Sequence, residues 1–395
     1  MRHVAERQTN MRVLISTTPA VGHIHPVVPL ALAIQAAGHQ VLWATGASAC
    51  AGLQAQGFDV TPAGAELSDR MAEYVRRYPE GATLPPPQRP DHMFPRLFGE
   101  LGMAPMVDDL LPLAQQWQPH VLLHEAAELA APLVAAALGI PNVTHGFGAI
   151  VLPGRVAQAG LFTAPVWQEH GLEQPEFAGC YEHLYLDIYP PSLGGGAHPH
   201  VPRVQPLRPG GFVEATESPA WLSELGSRPV VYITFGTIFN GAAGDFQAAV
   251  QGVSQLDVDV VVTVGPRGDP DAFGTFASNV RVQRYVAQAA LLPYCAAVVS
   301  HAGSGTSLSA LSRGIPQLCL PQGADQFVNA AAVADAGAGI SFPPGQATSG
   351  ELREAVQALL TEPGFGTAAA AVAADIAAMP SPEQVARVVE GVAGW

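Results

Sequence analysis

Short apolar runs alternate with stretches of helical period along most of the chain. Residues 11–17 (MRVLIST) form a nearly unbroken apolar run, the pattern of a strand covered on both faces. A loop with Pro, Gly and His follows. Residues 26–37 then read as a helix, with Pro26 in its first turn and Gly38 just past its end. Residues 39–44 (HQVLWA) give the next strand. Strand, crossover helix and strand make a βαβ unit, which implies a parallel sheet with a right-handed crossover. Residues 121–124 (VLLH) form a later strand, followed by a helix through Leu138; Gly139-Ile140-Pro141 then turns into a strand around 142–144. Residues 64–105 and 145–210 read as loops and short helices, and long insertions of this kind generally carry binding function.

Residues 199–211 (PHVPRVQPLRPGG) are the best linker, and after them the alternation restarts. Strands are predicted at 230–235, 258–264, 280–285, 297–300, 317–320 and 339–342. Helices are predicted at 245–256, 305–312, 325–336, 349–360, 367–379 and 382–392. The expected fold is α/β, with two doubly wound parallel-sheet domains. The first takes 1–210 and the second 211–378, while a closing helix in 379–395 packs back on the first. A length of 395 residues suits two domains of this size. In such sheets ligands sit beyond the carboxyl ends of the strands.

Charge narrows the partners. With 18 basic and 33 acidic residues the net charge is −15, a poor balance for nucleic acid or an anionic membrane surface. Only 13% of residues are charged and 48% are hydrophobic, so the chain is built to bury cores rather than to stay disordered. Cys50, Cys180, Cys295 and Cys319 lie far apart without a C-x-x-C, which fits a reducing cytoplasm and no zinc knuckle. No apolar run is long enough for a membrane span, and the polar start MRHVAERQTN lacks the apolar region of a signal peptide.

Three segments carry candidate chemistry. VSHAGSGT (299–306) follows an apolar strand and opens a helix. Gly303 and Gly305 allow close backbone approach, and the free amides at the helix start favour a phosphate. His301 stands at the mouth and adds a donor; the alternative is a tight turn without a ligand. The segment is neither a P-loop nor the dinucleotide fingerprint, since Leu308 stands where the third Gly belongs. Gly22-His23-Ile24-His25-Pro26 places a histidine above the first strand, suited to accept a proton at neutral pH. His23 and His25 both remain candidates, and Glu125 at the end of VLLH is placed to orient an imidazole. In PQGADQFVN (321–329), Asp325 and Gln326 suit the hydroxyls of a polar ligand, against the plainer reading of Asp325 as a helix cap. Asp257-Val258-Asp259 enters a strand instead of leaving one, so it is discounted as a metal site. Phe94, Phe98, Phe147, Phe162 and Trp167, in the insertions, suit a hydrophobic acceptor such as a polyketide-like aglycone, or else the core.

Taken in order, these segments resemble the nucleotide-sugar-dependent glycosyltransferases of the GT-B fold, in which two Rossmann-like domains face each other across a cleft. They are most similar to the bacterial enzymes that glycosylate antibiotics and other natural products. The resemblance runs from TPAVGHIHPVVPLALAIQAAGHQV through LLHEAAELAAPLVAAALGIPNV and VVYITFGT to VQRYVAQAALLPYCAAVVSHAGSGTSLSALSRGIPQLCLPQGADQFVNA. It implies that His23 is the general base and that Glu125 stands where the family has an acidic partner, commonly Asp. It implies that Tyr285 stacks on the nucleobase and the Val286 backbone meets its edge. His301, Gly303, Ser304, Gly305 and Thr306 match the diphosphate cradle, with Thr237 approaching from the other side. Asp325 and Gln326 match the pair that binds sugar hydroxyls.

The implied reaction is inverting and metal-independent, with the nucleotide sugar as co-substrate and no cofactor. The partners are that donor and a hydrophobic small-molecule acceptor; a homodimer stays open. Two departures stand out. Ser309 lies where plant members place a Glu for the ribose hydroxyls, which favours a dTDP-sugar over a UDP-sugar. Ala287 replaces the usual Pro of a Pro-Gln pair. Two other functions remain at this stage, a sugar-nucleotide epimerase of the same fold and a non-catalytic partner protein.

Overall fold

The computed structural model describes residues 10–196, 198–210, 219–234, 236, 243–265, 268, 270 and 277–395. They divide into two compact units. The first holds the residues up to Ile188, Gly196–Leu207 and Pro380–Trp395; the second holds Tyr189–Gly195 and Arg208–Met379.

The first unit is built on seven parallel strands: β1 (Arg12–Ser16), β2 (Gln40–Thr45), β3 (Asp59–Pro62), β4 (Val121–Glu125), β5 (Asn142–His145), β6 (Leu184–Asp187) and β7 (Val204–Pro206). Their order is β3-β2-β1-β4-β5-β6-β7. Ile15 of β1 is in register with Trp43 of β2 and Leu123 of β4. Helices cover both faces, which is why β1 and β4 read as apolar runs rather than as alternations.

The helix expected over 26–37 forms as Val28–Ala36, and a separate helical turn, Val21–Ile24, occupies the segment before it that was expected as a loop. Pro26 has no N–H to continue the ladder, and Val27 N bonds back only to Ile24 O. His23 therefore rides on its own turn, ahead of the main helix.

The insertions are more ordered than expected. They hold the helices Leu67–Arg77 and Pro153–Glu169 and strands β6 and β7, and a further helix, Met103–Trp117, runs on from the end of the first insertion. Pro112 and Pro165 lie inside two of those helices and broke the helical pattern in the sequence. The segment 199–211, expected as a linker, contributes β7 to the sheet, and the chain passes to the second unit after Leu207.

The second unit has six parallel strands: β8 (Val230–Thr234), β9 (Asp259–Thr263), β10 (Val280–Gln283), β11 (Cys295–Ser300), β12 (Gln317–Cys319) and β13 (Gly339–Ser341). Their order is β10-β9-β8-β11-β12-β13. Its core packs Ile233, Val260, Val262, Val299 and Leu318 against Leu352, Val356 and Leu359 of the Ser349–Thr361 helix.

The closing helix, Pro382–Val392, is capped by a Ser381–Gln384 box and packs on the Val28–Ala36 helix of the first unit. His39 ties the two. Its Nδ1 accepts from Met11 N (3.1 Å), so Nε2 donates to Glu390 Oε1 (2.9 Å). Among the described residues no helix is long and apolar enough to cross a membrane.

Candidate active site

Strand order reverses at β1 in the first sheet, with β2 on one side and β4 on the other. Loops leaving β1 and β4 diverge there and open a crevice at the carboxyl ends of the strands. His23 comes from the first loop and Glu125 from the last residue of β4. His23 Nδ1 lies 3.1 Å from Glu125 Oε1. The imidazole packs against Phe147 (ring centroids 4.6 Å apart) and Phe98 (5.6 Å).

Glu125 is fully buried. Burial alone would raise its pKa. His23 and the amides of Ala127 (2.6 Å to Oε2) and Thr18 (3.2 Å to Oε1) outweigh burial and hold the carboxyl below its ordinary value. An ionised carboxylate facing Nδ1 favours the tautomer protonated there, which leaves Nε2 as the basic atom.

His124 shapes this loop from behind. Its Nδ1 donates to the carbonyls of Glu128 (2.8 Å) and Glu125 (3.1 Å), and its Nε2 accepts from Thr144 Oγ1 (3.0 Å). Burial pushes it down to about 4, so it stays neutral. Glu128, also buried, accepts from the amides of Ala130 (2.7 Å) and Ala131 (3.2 Å), yet burial pushes its carboxyl up to about 7.

The second sheet reverses order at β8, between β9 and β11. The loop after β11 carries His301 and Gly303. A Cβ on Gly236 would lie 2.7 Å from the imidazole, and one on Gly303 2.6 Å. The ring thus occupies the space that two glycines leave, and Gly236 also has φ +69. Burial pushes His301 down to about 4, against the raising effects of Asp325 and a hydrogen bond to the Thr234 carbonyl. It is a neutral donor at pH 7.

The Ser304–Leu311 helix starts from Gly303 with no side-chain cap. The amides of Ser304, Gly305 and Thr306 form its first turn, and an anion there would meet both N–H donors and the positive end of the dipole. Thr306 Oγ1 accepts from Gln288 Nε2 (2.9 Å) and keeps its own proton to donate.

Asp325 is linked directly to this turn. Ser304 Oγ donates to its Oδ2 (2.6 Å), and Asn329 Nδ2 reaches the same oxygen (2.9 Å), Ser304 Oγ (3.0 Å) and Ala302 O (3.0 Å). Gln326 is buried, and its Oε1 accepts from the amides of Gln322 (2.7 Å) and Gly323 (3.0 Å). The amide nitrogen is what remains of Gln326 for a ligand. Tyr285 is 47% exposed, as a stacking platform must be, while Val286 is buried beside it.

Of the five aromatic residues, Phe94, Phe98 and Phe147 join one apolar cluster next to His23. Phe162 lies beneath the Arg96 guanidinium (5.6 Å). Trp167 is buried in a separate core with Met103, Leu110 and Leu133, away from any surface a ligand could reach. Thr237 lies outside the described residues.

Sequence reasoning missed Asn329, Gln288 and His124. Asn329 sits four residues after Asp325 on one helix face, a spacing that signals contact; the other two had no local signal. Asp259 of the discounted D-x-D pairs with Arg228 at the start of β9.

Comparison with known proteins follows the same lines. The chain matches the erythromycin biosynthesis protein CIII-like family, in its N-terminal domain over residues 32–192 and its C-terminal domain over 247–392. It is similar to the elloramycin glycosyltransferase ElmGT of Streptomyces olivaceus, 33% identical over 95% of this chain and 96% of that one. The glycosyltransferase SnogD from Streptomyces nogalater superposes with a TM-score of 0.76 at 29% identity, over 98% of this chain and 100% of that one. The spinosyn rhamnosyltransferase SpnG, solved with thymidine diphosphate and with the spinosyn aglycone, gives 0.78 at 29% identity over 96% and 100%. The fold of these relatives is GT-B, two parallel-sheet α/β domains.

Proposed function

The chain belongs to the erythromycin biosynthesis protein CIII-like family of nucleotide-sugar-dependent glycosyltransferases, and we propose that it transfers a sugar, with inversion and without a metal, from a dTDP-sugar to a hydroxyl of a hydrophobic aglycone. The observation that carries this reading is the 3.1 Å approach of His23 Nδ1 to the buried, ionised Glu125.

In the proposed step the acceptor oxygen attacks the anomeric carbon as its proton passes to His23 Nε2. An alcohol is a far weaker acid than imidazolium, so the two events are concerted. Glu125 stabilises the imidazolium that forms. The C–O bond to the diphosphate breaks on the opposite face, which inverts the anomeric centre. Charge grows on the leaving diphosphate, and the Ser304–Thr306 amides, neutral His301 and Thr306 Oγ1 are the donors that stabilise it.

Asp325 presents its second carboxylate oxygen, and Gln326 its amide nitrogen, to the sugar hydroxyls. Tyr285 stacks on the base. Ser309, in place of a carboxylate, supports a deoxyribose nucleotide, and the thymidine diphosphate bound by SpnG is consistent with that. The Phe98–Phe147 wall around His23 supports a hydrophobic acceptor.

Calorimetric titration should show TDP binding more tightly than UDP; a preference for UDP overturns the donor assignment. Replacing His23→Ala should leave TDP affinity unchanged and cut transfer by roughly 10²–10⁴, the scale of general-base loss. Turnover near wild type would remove His23 from the mechanism, and a product with retained anomeric configuration would remove direct displacement.

A further inference from the structure

The hydrogen-bond network on Asp325 includes one donor from far away in the sequence. Tyr189 Oη donates to Asn329 Oδ1 (3.2 Å), and both side chains are buried. Tyr189 begins a short segment, Tyr189–Gly195, that belongs to the second unit, although β6 before it and β7 after it belong to the first.

The direction of each bond follows from the partners. Asn329 Nδ2 faces Ala302 O (3.0 Å), Ser304 Oγ (3.0 Å) and Asp325 Oδ2 (2.9 Å). A carbonyl and a carboxylate only accept, so the amide nitrogen must lie on that side and Oδ1 on the other. Ser304 spends its one proton on Asp325 Oδ2 (2.6 Å), so it too accepts from Asn329. Oδ1 is then left to the Tyr189 hydroxyl, which must donate. An amide turned by 180° would set oxygen against carboxylate and carbonyl. The Tyr189 proton favours the orientation in which Nδ2 grips Asp325.

The segment is built to hold Tyr189 in place. The amides of Leu193 and Gly195 bond back to Pro190 O, and that of Gly194 to Pro191 O. A Cβ on Gly195 would overlap the Tyr189 carbonyl, so glycine alone closes this turn. Ser192 N donates to Asp375 Oδ2 (3.0 Å) on the Pro363–Ala378 helix, which fastens the segment to the second unit.

We propose that Tyr189 is a positioning residue for the donor sugar. Its hydroxyl sets the Asn329 amide, the amide holds Asp325 by Oδ2, and the other carboxylate oxygen is left for the sugar hydroxyls. This rests on the glycosyltransferase reading and on Asp325 as a sugar ligand. It adds that sugar recognition depends on a residue within the N-terminal family match, 32–192, so the C-terminal match, 247–392, does not contain the whole donor site.

The test titrates two probes, TDP and TDP-glucose, by calorimetry. Tyr189→Phe keeps the ring and removes only the hydroxyl. It should weaken TDP-glucose by about 10-fold, the worth of one sugar hydrogen bond to a carboxylate, and leave TDP within about twofold. In an Asn329→Ala background the same change should alter TDP-glucose affinity by less than about twofold, because the hydroxyl acts through that amide.

Equal losses for both probes, or no loss for either, would overturn the proposal, as would single losses that multiply in the double variant. A lowered melting temperature with the TDP-glucose to TDP ratio unchanged would make the hydroxyl a structural donor only. The wild-type protein keeps the two readings apart. Absent TDP binding strikes the glycosyltransferase assignment, and TDP binding without TDP-glucose binding strikes Asp325 as a sugar ligand. Normal binding of both, with Tyr189→Phe indistinguishable from wild type, strikes the Tyr189 role alone.

Discussion

Glu125 has two jobs that a neutral isostere cannot share. Its oxygens accept the Thr18 and Ala127 amides, and its charge faces His23. In Glu125→Gln one backbone amide is left facing an NH2 group, and the imidazole loses its counter-charge. Turnover should fall by about 10²–10⁴. Unfolding free energy should drop by about 1–3 kcal/mol for the unsatisfied amide. Single-turnover rates and urea titration read the two effects separately. A variant with wild-type turnover would show that the carboxylate serves the loop alone.

At the scale of elements, the Ser304–Leu311 and Gln326–Asp335 helices are coupled through Asn329, which binds the loop before one and the cap residue of the other. Asn329→Ala leaves Ala302 O and Asp325 with fewer donors, and should cost about 1–3 kcal/mol in stability. It should also weaken binding of a TDP-sugar more than binding of TDP itself, because Asp325 is the group set free. Equal losses for both ligands would show that the network serves the phosphate end only.

Gly303→Ala probes the same turn differently. The new Cβ would meet the His301 ring at 2.6 Å and drive it from the cradle mouth. TDP affinity should fall by about tenfold or more, the worth of one charge-assisted hydrogen bond. Unchanged affinity would mean that His301 does not touch the diphosphate.

At the scale of the molecule, buried histidines set the response to acid. His124 and His145 are fully buried, and both are pushed from 6.5 down to about 4 by burial. On unfolding below pH ~6.5 each takes up a proton, so stability is full above that value and is lost as pH falls toward 4. Glu128 works against them. Raised from 4.5 to about 7, it favours the folded state at low pH and loses that contribution as pH rises through 7. Two imidazoles against one carboxyl leave about one net proton in the window from about 4.5 to 6.5, and burial lowers His92, His120 and His200 of the same unit as well. Stability of the first unit should then fall by about 1.4 kcal/mol per pH unit or more on acidification. Calorimetric scans from pH 7 to pH 5 read this directly, and a transition independent of pH would show that these rings are hydrated.

The sequence by itself determined the two parallel-sheet units, the strands that lead into each candidate site and the identity of the chemical segments. Those features are local. An apolar run of a few residues, a glycine past a helix end and a turn into a helix start each follow from neighbours in the chain. Tertiary structure decided which groups meet. Glu125 reaches His23 across about a hundred residues because strand order reverses at β1, and no local pattern encodes that order. Burial did the rest. It separates Glu125, held ionised by His23 and its amides, from Glu128 three residues on, pushed up to about 7, and it sends Trp167 into the core while leaving Phe98 against the imidazole. It also buries Arg70, a charge that reads in the sequence as an ordinary surface arginine. The free energy of a charge depends on the dielectric and the partners around it, and those exist only once the chain has packed.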